Sequence, residues 1–239
     1  MIWTGLGVTN NWSEGANWST GAAPGAADTA IFDSTSAKNA TINVALNVGG
    51  IQIGGAYAGT VTQGAVAVTI GAAGFSQSGG AFAGSGSPMT VNGPFALSGG
   101  SFTSTTAALS VAGAFTHSSG TFGHNGGTVT FTGSAATITV PTSETFNNLT
   151  FAPTTAGAIK TVAAGTTLIV NGTLTLTEGA IDTGTVLAMG NATQASTFDG
   201  GAGLLVFGGA GAQSLTGSAT TGAGQLPNVE FAKPSGTLS

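Results

Sequence analysis

The chain has 239 residues, enough for one large all-β unit or two average domains. Only 5% of them are charged, with three Lys, no Arg and a net charge of −5, which leaves no basic footprint for nucleic acid. There is no Cys, so neither a disulfide nor a thiolate metal site can form.

The rest of the composition narrows the fold. Gly accounts for 42 residues, yet 41% of the chain is hydrophobic and the mean hydropathy is +0.35, so there is apolar surface to bury and a disordered linker is excluded. Gly costs about 1 kcal/mol in a helix interior, and Thr, Val and Ile are poorer helix formers than Ala. No run of helix formers reaches three turns. Alternating Thr, Val, Ile and Phe favour strands. No apolar run approaches the roughly 20 residues of a membrane helix, and no amphipathic membrane-surface helix is supported.

Residues 1–45 hold all three Trp, at Trp3, Trp12 and Trp18, and three of the eight acids. The stretch NNWSEGANWSTGAAPGAADTAIFD reads as loop followed by strand. It is expected to be an N-terminal cap whose indoles cover the first rung of whatever follows, because a stack of strands leaves unpaired edges at its end. The opening MIWTGLGVTNNW has neither a basic n-region nor an apolar h-region, so it is not a signal peptide. The expectation is that Met1 starts a mature or excised segment.

Residues 46–239 read as a single continuous β-solenoid. Phe75, Phe95 and Phe115 recur at one constant step, shared by Gly80, Gly100 and Gly120 and by Phe82, Phe102 and Phe122. Val91, Val111 and Phe131 keep the same step, and so do Gly93, Gly113 and Gly133. Upstream, IQIGGAYAGTVTQGAVAVTIG is a looser copy, with Ile51, Tyr57 and Ile70 in the large apolar places. A fixed step of about 20 with Gly at the corners predicts a parallel β-helix of two or three short strands per rung, equivalent residues stacking about 4.8 Å apart. Large inward side chains must lie over their counterparts and so keep register, while outward residues drift. A β-sandwich would not need an unchanging step. Low charge follows too, because stacking would set like charges on one another.

A longer period is read between residue 129 and the C-terminus, in which Phe131 matches Phe207, and Phe146, Leu149 and Phe151 match Leu226, Val229 and Phe231. The chain ends at KPSGTLS, partway through such a unit. The expectation is that the natural protein continues or that another molecule covers the last rung.

The strings WTG…NWS…NWSTGAAPGAADTAIFD and GGTVTFTGSAATITV…TFNNLTF…TTLIVNGTLTLTEGAIDTG resemble large secreted bacterial surface proteins of the autotransporter-like and adhesin-like repeat class. The resemblance covers most of the chain and implies a right-handed parallel β-helix on a cell surface or in an extracellular matrix or filament, with no catalytic residues carried over. An export signal and an anchoring domain of that class are absent from this sequence.

Chemistry-bearing residues are sparse. The acids are Glu14, Asp28, Asp33, Glu144, Glu178, Asp182, Asp199 and Glu230. Glu178, Asp182 and Asp199 could meet across neighbouring rungs as the paired carboxylates of a polysaccharide-cleaving enzyme, yet corner positions account for them and no Arg is present to hold a sugar acid. His117 and His124 fall at places that the neighbouring copies fill with Leu97/Gln77 and Ser104/Gly84, so they read as incidental polar positions and not as metal ligands. Asp28 and Asp33 flank TAIF, but calcium needs six to eight oxygens and no Asp recurs rung by rung. Asn-x-Ser/Thr begins at Asn11, Asn17, Asn39, Asn148, Asn171 and Asn191, as chance allows in a Thr-rich chain. TVTFT and TLTLT could contribute to a flat Thr array of the ice-binding kind, but Thr-x-Thr occurs in only some rungs, so hydroxyl laddering between rungs is the expectation.

No catalytic, cofactor-binding or metal-binding residue is therefore assigned, and no cofactor is expected. The expected role is non-enzymatic: a rigid extracellular segment of a bacterial surface fibre, filament, sheath or adhesin. Its expected partners are further copies stacked head to tail or other surface and matrix components, with no nucleic acid and no membrane insertion. A glycan- or ice-binding module is the alternative, and a polysaccharide-degrading enzyme the least supported.

Overall fold

β-Branched and aromatic residues alternate with small polar ones in stretches of three or four, and the structure turns nearly all of these into strands whose neighbours are parallel. The computed structural model describes residues 1–218, 220 and 223–239. Helical content is limited to a single 3₁₀ turn, Gly15–Asn17, among the described residues. The chain is an all-β parallel β-solenoid of about 10 turns with about 21 residues per turn. It divides into two compact units, Met1–Gly127 and Thr128–Ser239.

In the first unit each turn has three faces, the upper end of the expected two or three strands. One face stacks 46–48, 68–70, Met89–Val91 and Ala108–Val111. The next stacks Thr29–Phe32, 50–53, 74–77, 95–97 and 115–117. The third stacks Ala40–Ile42, Thr60–Gln63, 81–83, 101–103 and 121–123. The expected Phe columns form as read. Phe75, Phe95 and Phe115 stack nearly parallel, with centroids 5.2 and 4.9 Å apart. Phe82, Phe102 and Phe122 do the same at 5.1 and 5.6 Å. The two columns meet edge to face, as between Phe95 and Phe102 at 4.9 Å, a geometry worth about 0.5–1.5 kcal/mol per pair beyond burial.

The corner between these columns is set by glycine. Gly80, Gly100 and Gly120 have φ of 53°, 74° and 91°, a conformation an L side chain adopts only at a cost. A Cβ on Gly100 would also run into the carbonyl oxygens of Gly79 and Gly80 on the turn before. Amide side chains brace other corners. Gln77 Nε2 donates to Gly79, Gly80 and Ser101 carbonyls, and Gln63 Nε2 to those of Val66, Ser87 and Pro88.

The Trp-containing segment lies over the first turn. Trp3, Trp12 and Trp18 are buried and all three rings pack on Phe32 at 5.7–6.0 Å. The backbone continues two ladders: Trp3 N donates to Ile31 O, and Trp12 N to Thr41 O, both at 2.8 Å. Tyr57 departs from the place read for it. Val61, not Tyr57, registers with Phe82. The Tyr57 ring sits at a corner against Phe32, and its hydroxyl donates to Lys38 O at 2.8 Å. The turns here are longer than in the Phe-rich stretch. Ile51 registers with Phe75 and Phe75 with Phe95, so the first step is the wider and spacing alone misplaces the ring.

The second unit also has three faces. The first stacks Thr128–Phe131, Asn148–Phe151, Leu174–Leu176, Ala192–Gln194 and Leu215–Gly217. The second stacks Ala136–Thr139, Ile159–Val162, Gly179–Asp182 and Phe198–Gly200. The third stacks Ser143–Phe146, Thr167–Val170, Thr185–Ala188, Leu204–Phe207 and Asn228–Phe231. Turn length varies. Val129, Leu149, Leu174, Ala192 and Leu215 succeed one another in a single column, with a wide step from Leu149 to Leu174 and a narrow one from Leu174 to Ala192. The long period read here does not describe the register. Phe131 stacks on Phe151 at 5.7 Å on the first face, whereas Phe207 stacks on Phe231 at 5.8 Å on the third. Phe146 shares that third-face column through Val170 and Ala188. Similar side chains recur in this unit, but on different faces.

Candidate functional site

The feature that stands out in the second unit is its first face. In each strand the residues flanking the centre point inward and are buried in all but the last: Val129/Phe131, Leu149/Phe151, Leu174/Leu176 and Ala192/Gln194. Strand pleating therefore turns the central residue outward. That residue is Thr130, Thr150, Thr175, Thr193 and Thr216, in register through all five strands.

Two further ranks run beside it. Thr128, Asn148, Thr173, Asn191 and Ser214 stand two positions earlier; Thr132, Ala152, Thr177, Ala195 and Ser218 stand two positions later. The backbone ladder reaches both ranks, as in Leu149 N to Thr173 O at 3.1 Å and Ala195 N to Leu176 O at 2.8 Å. Asn148 Oδ1 accepts from Thr173 N and Asn191 Oδ1 from Ser214 N, at 2.8 and 2.9 Å, which fixes the rung spacing at this edge. Every member of the three ranks is Thr, Ser, Asn or Ala, and none is buried. Thr175, Thr177, Thr193, Thr216 and Ser218 line a shallow open trough of about 300 Å³ between two ranks.

The expected hydroxyl laddering does not occur along the central rank. Among the described residues, no hydrogen bond engages the hydroxyls of Thr130, Thr150, Thr175, Thr193 or Thr216. Threonines elsewhere do use theirs: Thr166 donates to Ala163 O, Thr183 to Val162 O and Thr197 to Thr177 O. A search for Thr-x-Thr in every rung misses that only the middle position is constant. Turns of unequal length hide that constancy from any fixed-step comparison.

The acids weighed from the sequence are only partly brought together. Glu178 and Asp199 line one open depression of about 520 Å³ beside Ile159 and Thr197, with no basic residue on its rim among those described. Glu178 Oε1 already accepts from Gly157 N and Gly179 N at 3.3 and 3.1 Å. Asp182 lies apart, at the register place of Thr161, and accepts from Ala202 N. His117 is buried beneath Leu97 in an inward column, its Nε2 3.3 Å from Gly120 O, whereas His124 Nδ1 accepts from Gly126 N. Asp28 and Asp33 each close their own turn, by accepting from Gly25 N and Thr35 N; hydrogen bonding from the Thr35 side chain, and then from its backbone N–H, holds Asp33 below the usual carboxylate range. No group of three metal-ligating side chains occurs among the described residues.

One buried cation lies in this unit. Lys160 is 1% exposed, and its Nζ donates to the carbonyls of Thr132 and Ser134 at a corner. Burial pushes its pKa down to about 8. No helix among the described residues is long and apolar enough to cross a membrane.

Comparison with protein-family models, with curated proteins and with solved structures finds no match to this chain. Its fold and surface therefore stand on their own geometry.

Proposed function

We infer that the chain is a rigid, non-enzymatic module of an extracellular bacterial surface fibre, filament, sheath or adhesin, of the autotransporter-like and adhesin-like class that its repeats resemble. The single observation that supports this reading is the parallel pairing that carries from turn to turn in each unit, across local register shifts such as those at Gln77–Ala81 and Gly179–Ala180. Backbone hydrogen bonds run along the stack from turn to turn, and the large side chains lie in columns over one another. Such a body resists bending and protease entry because no strand leaves the ladder without breaking bonds to the turns on both sides. Low charge suits a module that repeats along an axis. Phe231, 64% exposed over Phe207, gives the last described turn an apolar surface on which a further turn or a second copy can stack.

Display is tested by labelling intact and permeabilised cells that produce the natural full-length protein with an antibody to this segment. Intact cells are expected to label fully; labelling only after permeabilisation overturns the extracellular assignment. The non-enzymatic part is tested by incubating the chain with neutral and acidic polysaccharides and assaying new reducing ends. Turnover that Glu178→Gln or Asp199→Asn abolishes would replace this reading with a hydrolase. End-to-end association predicts that sedimentation velocity shows growing species as concentration rises, and Phe231→Asp suppresses them.

A further inference from the structure

We propose that the threonine face of the second unit binds the surface of ice. This does not rest on where the chain is displayed, and it goes beyond a spacer role.

The argument begins with what one hydroxyl can do. A Thr hydroxyl in liquid water exchanges one hydrogen bond for another, so a single residue gains close to nothing by contacting solid water. Binding a solid requires many such contacts at once, at spacings that the solid shares, on a support that has already lost its conformational freedom. The first face of the second unit meets these conditions together.

Its periodicity is two-dimensional. Rungs repeat about 4.8 Å apart and residues i, i+2 about 6.6 Å apart along each strand. Five rungs and three ranks form a grid about 19 Å by about 13 Å on those spacings. The backbone ladder holds it from both edges, and large buried side chains lie beneath the first three rungs: Val129 and Phe131, Leu149 and Phe151, Leu174 and Leu176. The central hydroxyls are uncommitted, whereas those of Thr166, Thr183 and Thr197 are consumed by carbonyls. Each central Thr also offers a methyl group, whose β-branched χ1 is stiff. An open trough of about 300 Å³ runs between ranks across Thr175, Thr193 and Thr216.

The make-up of the grid favours ice over other neutral, periodic ligands. It carries no charge, and a charge would order water around itself instead of accepting an external lattice. It carries no aromatic side chain, the usual platform on which an apolar ring face is laid, so crystalline polysaccharide has nothing to stack upon. The acidic depression at Glu178 and Asp199 lies off this face.

The test uses the full chain. Its partition into a slowly growing ice surface, and its suppression of recrystallisation in a frozen sucrose solution, are measured beside a non-binding protein of similar size. The full chain is expected to be enriched in the ice fraction. The outward pair Thr175→Tyr with Thr193→Tyr should cut that enrichment roughly tenfold or more, because many weak contacts are lost together. Thr145→Tyr, outward on the third face, should leave it unchanged, and circular dichroism checks that all variants keep the fold. Thr175→Val with Thr193→Val, which keeps the methyl groups, should lie between. The proposal is overturned if the full chain stays in the liquid like the reference protein, or if the tyrosine pair partitions as the parent does. Retention on insoluble cellulose or chitin that depends on the same threonines, without ice enrichment, also overturns it in favour of a glycan face.

Discussion

The two units use one plan with different means. The first keeps an even step from Phe75 to Phe95 to Phe115, and builds its centre from stacked and edge-on phenylalanines. The second lets turn length vary, as between the Leu149–Leu174 and Leu174–Ala192 steps, and fills its inward columns mostly with aliphatic residues such as Leu168, Val170, Leu174 and Val186. Parallel pairing therefore needs register inside the strands, not equal corners between them. Aromatic stacking adds a preference for equal steps, since each ring must lie flat on the next. Where aliphatic residues carry the centre, corners are free to lengthen.

The largest expected effect follows from that contrast. Phe102 touches four aromatic rings, at 5.2 Å from Phe75, 5.1 Å from Phe82, 4.9 Å from Phe95 and 5.6 Å from Phe122. Phe102→Ala should destabilise the first unit by about 3–5 kcal/mol. Leu174→Ala in the second unit, whose neighbours in its column are Leu149 and Ala192, should fall toward the lower part of the roughly 2–5 kcal/mol seen for such truncations. Native-state hydrogen exchange, which reads each unit separately, checks both. Equal losses would show that the stacked rings add nothing beyond burial.

Corners give the next contrast. Gly100 and Gly165 have nearly the same φ, 74° and 77°. A Cβ on Gly100 collides with backbone on the preceding turn, while nothing lies within 4 Å of one on Gly165. Gly165→Ala should therefore cost only the left-handed penalty of about 1–2 kcal/mol, and Gly100→Ala distinctly more. Matching denaturation midpoints for the two variants would mean that the first unit's corner yields.

Alkaline pH should move the units in opposite directions. Lys160 binds a proton in the unfolded chain up to its ordinary 10.5 but releases it in the folded unit near 8. Between those values the unfolded state holds more protons, so the second unit gains stability as pH rises from about 8 to 10.5. Lys160→Met should flatten that rise. Tyr57 is an acid whose pKa burial raises above its ordinary 10. The unfolded chain loses its proton first, and the first unit weakens above pH 10. Exchange protection followed from neutral pH upward should show one set of amides strengthening and the other fading.

The smallest effect concerns a single loop. The Glu14 carboxylate accepts from the Thr9 hydroxyl, and from Thr9 N and Val8 N at 2.8 and 2.7 Å, and these bonds, the side-chain one first, hold its pKa below 4.5. Its contribution is present at neutral pH and fades as pH falls through that lowered value. Val8 and Thr9 amides should lose protection, measured against their intrinsic exchange rates, in acid, and Glu14→Gln should show the same loosening at neutral pH. Unchanged exchange would assign the loop's order to Asn17 and Lys38, which also hold it.

Legibility in the sequence follows the same division. The fold class and the Phe columns can be read because identical large residues recur at a constant step. Tyr57 is misplaced and Val61 overlooked when size is taken as the marker of inward place, in a stretch where the step is not constant. Phe131 and Phe207 pair on paper because their surroundings look alike, yet a face is defined by corners, and the corners vary. The threonine rank stays hidden for a related reason: Thr is abundant throughout, so only coordinates separate an outward rank from corner hydroxyls. The acid trio is half right, since neighbouring turns do bring Glu178 and Asp199 to one depression while sending Asp182 to another place.

All three tryptophans lie at or before Trp18 and share one buried cluster around Phe32. Intrinsic fluorescence of this protein is thus a local lamp: its emission responds to fraying of that terminus and stays dark to events in residues 128–239. A melting curve followed by emission and one followed by far-ultraviolet ellipticity need not coincide, and the gap between them measures how independently the two ends of the polypeptide come apart.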